Sequence, residues 1–163
     1  MQGDVLDLYK LSEVELIYKS KAKASERPMI GQSKDAYTLL LRYWDENKID
    51  FVEQFKILLL NQANKVMGIS DVSTGGLTGT VADIRVIFAT ALKANACKII
   101  MAHNHPSGNL EPSTPDKEMT SKITEAGKYL DIKVLDHLIV TREGYYSFAD
   151  EATSYPELKS MPF

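Results

Sequence analysis

A chain of 163 residues, 44% hydrophobic and 25% charged, has the size and make-up of one compact domain with a real core. Its net charge of -3 offers no general attraction to nucleic acid, and its single cysteine, Cys97, excludes an internal disulfide and a cysteine-rich zinc cluster. No apolar run reaches the ~18 residues of a membrane-spanning helix, and MQGDVLDLYK lacks a basic-then-apolar signal pattern, so a soluble cytoplasmic protein is expected.

Residues 1–30 read as an N-terminal segment with an edge strand. VELIYKSKAK, residues 14–23, begins with β-branched and aromatic residues, and alternation puts Lys19, Lys21 and Lys23 on one face. A solvated, aggregation-blocking edge is the reading that fits an acidic chain; a phosphate-binding stripe is the alternative. Residues 31–150 form the domain proper. Ser33 to Glu46 is predicted helical from Leu39, Leu40, Tyr43 and Trp44, with Ser33 or Asp35 as the N-cap. FVEQFKILLL, 51–60, reads as a buried strand. Asn61-Gln62-Ala63-Asn64 is a turn, and KVMGISDVS, 65–73, returns as the second arm of a hairpin. Gly75, Gly76 and Gly79 make a loop without nucleotide-binding spacing.

Asp83 caps a helix over Ile84 to Ala94, with Ile84, Ile87, Phe88, Ala91 and Leu92 on its apolar face. A strand over 97–103 follows, with Cys97 expected as a small core residue. A helix from about Pro115 to Leu130, a strand IKVLDHLIV (132–140), a turn at Gly144 and a pairing segment Tyr145–Phe148 complete the domain. Residues 151–163 are a polar, proline-broken tail. A hairpin followed by helices alternating with strands favours an α/β sandwich around a mixed sheet.

The chemistry gathers in IIMAHNHPSGNLEPSTPDKEMTS, Ile99 to Ser121. Residues two apart on a strand point the same way, so His103 and His105 present two imidazoles at one strand end. Pro115 suits the first position of a helix, which makes Thr114 or Ser113 the N-cap and puts Asp116 in the first turn. Two imidazoles and a carboxylate are donors for zinc with a fourth position left open to water. Asp116 is equally explained as a capping residue favoured by the helix dipole. A water-activating site needs a general base. Glu111 and Glu118 lie nearby; Asp45, Glu46, Asp50, Glu53, Asp71, Asp83 and Asp136 lie further off, and spacing does not choose among them. His137 is expected to share a face with Leu135 and Ile139, as a hydrogen-bonded scaffold histidine or as support for the site.

HNHPSGNLEPSTPD, His103 to Asp116, resembles the His-x-His-Pro-x-Gly…Ser-x-x-Asp signature of JAMM (MPN+) metalloproteases. HNHPSG with PSTPD and, further on, LDHLIV is similar to the RadC family, from about Gly31 through Phe148. The resemblance implies a JAB/MPN-like, cytidine-deaminase-like α/β sandwich around a mixed, mostly antiparallel sheet. It implies one Zn2+ per chain held by His103, His105 and Asp116, with Glu53 as general acid/base and Ser113 supporting an oxyanion. Longer RadC proteins carry an N-terminal helix-hairpin-helix region, and this chain is expected to be a short form without it. The implied activity is cleavage of a peptide or isopeptide bond in a protein or peptide substrate. A metal-dependent DNA-processing or DNA-repair accessory protein and a non-catalytic interaction module, dimeric or not, are the alternatives. Zinc nucleobase deaminases share the general architecture, but their CxxC is impossible with one cysteine.

Overall fold

A computed structural model of the chain describes residues 20–76 and 81–151, with isolated positions Ser12 and Glu15. The expected strand over 14–23 lies mostly outside the described residues. Its last part, from Ser20, is not strand, and it leads into a one-turn 3-10 helix, Ala24–Glu26. The elements that follow are α1 (Ser33–Tyr43), β1 (Gln54–Leu60), β2 (Val66–Thr74), α2 (Ile84–Lys93), β3 (Lys98–Asn104), α3 (Thr114–Tyr129), β4 (Lys133–Val140) and β5 (Tyr145–Ser147).

The five strands form one sheet in the order β2-β1-β3-β4-β5. Only the β3–β4 pair is parallel. Parallel neighbours need a crossover, and α3 is that crossover. The sheet is thus mixed and mostly antiparallel, as expected. It is covered on both faces. α1 contributes Ala36 and Leu40 to a core with Leu58, Leu60, Ile100, Ala102, Leu138 and Val140. On the other face α2 and α3 contribute Ile87, Phe88, Ala91 and Ile123, against Phe55, Ile57, Ile99 and Met101. Coverage on both faces explains why QFKILLL is buried at every position rather than alternating. Among the described residues no helix is long and apolar enough to cross a membrane.

Several local expectations are corrected. α1 ends at Tyr43 rather than Glu46, because the chain turns extended at Trp44, which swings inward while Tyr43 stays outside. Its N-cap is Gln32, and Asp35 at N3 accepts from the N–H groups of Gly31 and Gln32 at 2.9 and 3.1 Å. Phe51 is exposed and precedes β1. Leu92 lies outside the buried face of α2, whose cap is Asp83 as expected, accepting from Arg85 N–H at 2.9 Å. Cys97 is exposed. Ala96 takes the buried position instead, after a left-handed turn at Asn95 (φ 56°).

A bulge in β4 alters the face of a key residue. Ile99 pairs with Val134 but Ile100 pairs with Asp136, so Leu135 is the extra residue. Leu135 therefore joins the α1-side core rather than the face of His137, and the alternation restarts so that His137 pairs with Met101. Asp136, fully buried, accepts from Ser147 Oγ at 2.6 Å and from the N–H groups of His137 and Ala149 at 2.7 and 2.9 Å. It pins the chain after β5 to the sheet. Burial raises its carboxyl to about 7, against the lowering effect of those hydrogen bonds. The folded state thus keeps a proton that the unfolded chain gives up near the ordinary 3.8, so this contribution to stability is full at low pH and is lost as pH rises from about 4 to about 7. Asp136→Asn is expected to remove that slope. Denaturant unfolding of metal-free protein should show the variant gaining on the wild type across this window, and parallel stability curves would refute it.

Candidate metal centre

β3 ends on His103 and Asn104, and His105 continues its line by donating its N–H to Val140 O at 3.2 Å. This extension keeps His103 and His105 on one side of the sheet, the side covered by α2 and α3. The next residues turn sharply. Gly108 donates to His105 O at 3.0 Å and has φ 81°, a left-handed conformation that suits glycine. The turn returns the carbonyl of Asn109 to 2.6 Å from His105 Nδ1. A carbonyl only accepts, so His105 carries a proton on Nδ1, and the neutral ring offers its Nε2 electron pair inward.

α3 supplies the third donor. Ser113 is its N-cap, and Pro115 lies in the first turn. Asp116 at N3 accepts from Ser113 N–H and Ser113 Oγ, both at 2.7 Å, while Ser113 Oγ accepts from Asp116 N–H at 3.2 Å. This capping box orients the carboxylate: one oxygen is held by Ser113 and both face the imidazoles. His103 Nε2 lies 3.0 Å from His105 Nε2 and 3.1 Å from Asp116 Oδ1, and His105 Nε2 lies 3.6 Å from Asp116 Oδ2. Asp116 thus caps the helix and at the same time faces the two histidines.

These residues fit a metal ion. Tetrahedral ligands at about 2.0–2.1 Å from a zinc ion sit about 3.3 Å from one another. The 3.0 Å between the two histidine Nε2 atoms and the 3.1 Å from His103 Nε2 to Asp116 Oδ1 are close to that value, and His105 Nε2 lies 3.6 Å from the other carboxylate oxygen. His103, His105 and Asp116 form a group able to hold a metal ion, with donor atoms within 4.8 Å of one another. The electrostatics agree. Burial pulls the Asp116 carboxyl up, but the neighbouring imidazoles of His103 and His105, which attract its negative charge when protonated, and the Ser113 hydroxyl hold it well below the ordinary range, so it is anionic. The hydrogen bond with Asp116 raises His105, against burial, and the Glu53 carboxylate adds a weaker pull. The site attracts positive charge, and proton and metal compete for it. His103 is fully buried, whereas the His105 side chain keeps 15% of its surface exposed, so the cluster opens on one side.

Glu53 precedes β1 by one residue and is half-buried. Phe55 pairs with His103, which puts Glu53 opposite the His105 end on the same side of the sheet. The segment carrying Glu53 is gripped by the residue between the two histidines. Asn104, fully buried, donates through Nδ2 to Ile49 O at 2.7 Å and Val52 O at 2.9 Å, and accepts from Gln54 N–H at 2.7 Å. The middle residue of His-Asn-His thus ties the glutamate's loop to the histidines' strand, a role sequence spacing did not reveal. Asn104→Ala leaves two buried backbone groups and a part-buried one unpaired and is expected to cost on the order of 3 kcal/mol in chemical unfolding. A loss within error of zero would show that the loop holds without it.

His137 was the other residue whose part spacing could not settle. Its Nε2 lies 2.8 Å from His103 Nδ1, and it is driven toward neutrality by burial and by the neighbouring His103. It touches a donor without being one.

Two imidazoles from a strand end and a carboxylate from the first turn of the next helix, set in a two-faced α/β sandwich, define a JAB-type domain whose donor cluster could hold a metal ion. The chain belongs to the RadC-like JAB domain family, whose profile matches residues 30–153. Relatives include a UPF0758 protein of Flavobacterium johnsoniae, 47% identical over 75% of this chain and 52% of the relative. One from Rubrobacter xylanophilus is 38% identical over 91% of this chain and 64% of its own length, and one from Clostridioides difficile 32% identical over 90% and 63%. The chain spans about half to two thirds of the length of these relatives.

Proposed function

We propose that this chain is a zinc-dependent hydrolase of JAMM type that cleaves peptide or isopeptide bonds with a metal-activated water. The observation that carries the reading is the convergence of His103, His105 and Asp116 at one open-sided point, with the Glu53 segment tied to the same strand end. Zinc, when bound, supplies a Lewis acid for a carbonyl and brings the ionisation of water near neutral pH. His103, His105 and Asp116 are its ligands. Glu53 takes the proton from the attacking water and returns it to the leaving nitrogen, a role supported by its position on the site's side of the sheet and its electrostatic pull on His105. Ser113 stands at the solvent-facing rim, where its hydroxyl orients Asp116 and is available to a developing oxyanion.

The test is a pair of incubations. Zinc-loaded protein is expected to cleave members of a peptide library, including branched Lys-linked peptides, in a manner abolished by chelation. It is expected to leave labelled single- and double-stranded DNA intact. Metal-dependent nicking of DNA without peptide cleavage would replace the proposal with a DNA-processing function. Neither reaction, from protein holding stoichiometric zinc, would favour an interaction module.

A further inference from the structure

His137 is wholly buried beside the donor cluster, its ring stacked on Phe148 at 4.9 Å and 11° and tilted against Phe55 at 5.7 Å. An apolar side chain would fill that slot without demanding partners, whereas a buried imidazole requires both nitrogens to be satisfied. Both are. Nε2 is 2.8 Å from His103 Nδ1, and Nδ1 is 2.6 Å from Thr120 Oγ1. Thr120, also fully buried, donates its hydroxyl proton to the backbone carbonyl of Asp116 at 2.7 Å.

We infer that these bonds form a tautomer lock, in which Thr120 and His137 keep the His103 proton on Nδ1 so that the Nε2 electron pair is the one presented to the metal. The inference rests on the metal-centre reading above. Its direction is set at the far end. The Asp116 carbonyl only accepts, so it takes the Thr120 proton. Thr120 Oγ1 is then an acceptor for His137 Nδ1–H. A neutral imidazole carries one N–H, so His137 Nε2 holds an electron pair and accepts His103 Nδ1–H. Each proton position dictates the next.

The circuit also closes. The residue whose carbonyl ends the chain is the one whose carboxylate faces His103, with Asp116 Oδ1 3.1 Å from His103 Nε2. The start of α3 therefore supplies one donor and, a turn later, the hydroxyl that orients another. Ligand histidines usually give their second N–H to a carboxylate, a carbonyl or water. Here the acceptor is another histidine, which can present either a proton or an electron pair, and Thr120 removes that ambiguity. The β4 bulge belongs to the same device, because it turns His137 onto the face of His103.

Thr120→Val tests it, since the variant keeps the shape and removes the acceptor. In metal-free wild type, long-range 1H–15N spectra should show His137 protonated on Nδ1 alone. In Thr120→Val the proton should move to Nε2, and zinc affinity measured by chelator competition should fall about 10–100-fold. His137→Gln, whose amide oxygen can still accept from His103, should retain more affinity than His137→Leu. An Nε2-protonated His137 in the wild type, or equal zinc affinity in wild type and Thr120→Val, overturns the lock while leaving the metal centre standing. A wild type that binds no zinc overturns the metal-centre reading and the inference together.

Discussion

Asp116→Ala protein is expected to come through zinc loading with no bound ion, where the wild type holds about one per chain. Three protein donors converge on the site, and Asp116 is the only one that brings a negative charge. Without it two imidazoles face each other at 3.0 Å with nothing to offset the desolvation of a divalent ion. Because Asp116 also accepts from Ser113 at the start of α3, the alanine variant loses helix capping as well. Asp116→Asn separates the two roles: its amide oxygen can still accept from Ser113, so the helix should survive while metal affinity drops. Elemental analysis of the purified proteins after dialysis reads the outcome. Stoichiometric zinc in Asp116→Ala would remove the site as described, whatever the protein's activity.

Glu53→Gln should leave zinc content at the wild-type level and lower peptide hydrolysis by at least ~10²–10⁴-fold, the usual worth of a positioned general acid/base. Glutamine matches the size of glutamate and leaves the backbone clasp of Asn104 untouched, so the loss is chemical rather than structural. The measurement is single-turnover cleavage of whichever peptide the library yields, with metal content determined on the same sample. Turnover at the wild-type rate would show that another group handles the proton. A parallel loss of zinc would instead make Glu53 part of the ligand set.

Much of this architecture was legible in the chain. The strand-loop-helix around His103, His105 and Asp116 carries its own punctuation. Pro115 suits a helix start, Ser113 and Asp116 stand at capping-box spacing, and Gly108 allows the turn that returns a carbonyl to His105. Such features are local, decided by φ/ψ preferences and hydrogen bonds within a few residues. Burial was harder to read. Cys97 reads as apolar but faces out, and Tyr43, Phe51 and Leu92 are exposed although each belongs to a hydrophobic pattern. A pattern identifies a face, whereas its exact width depends on what packs against it.

The sequence by itself named the candidate donors, the order of the elements and the family resemblance, because residue type and the spacing of a long motif suffice for that much. Only the tertiary structure decided which distant groups serve those donors. Simple alternation groups His137 with Leu135, but one bulged residue in β4 separates them and turns His137 toward His103. Asn104 and Thr120 likewise act across gaps that no local pattern spans, one reaching the segment before β1 and the other linking a helix to a strand. Sheet register and helix docking set those contacts, and both arise from burying the whole core rather than from any single stretch.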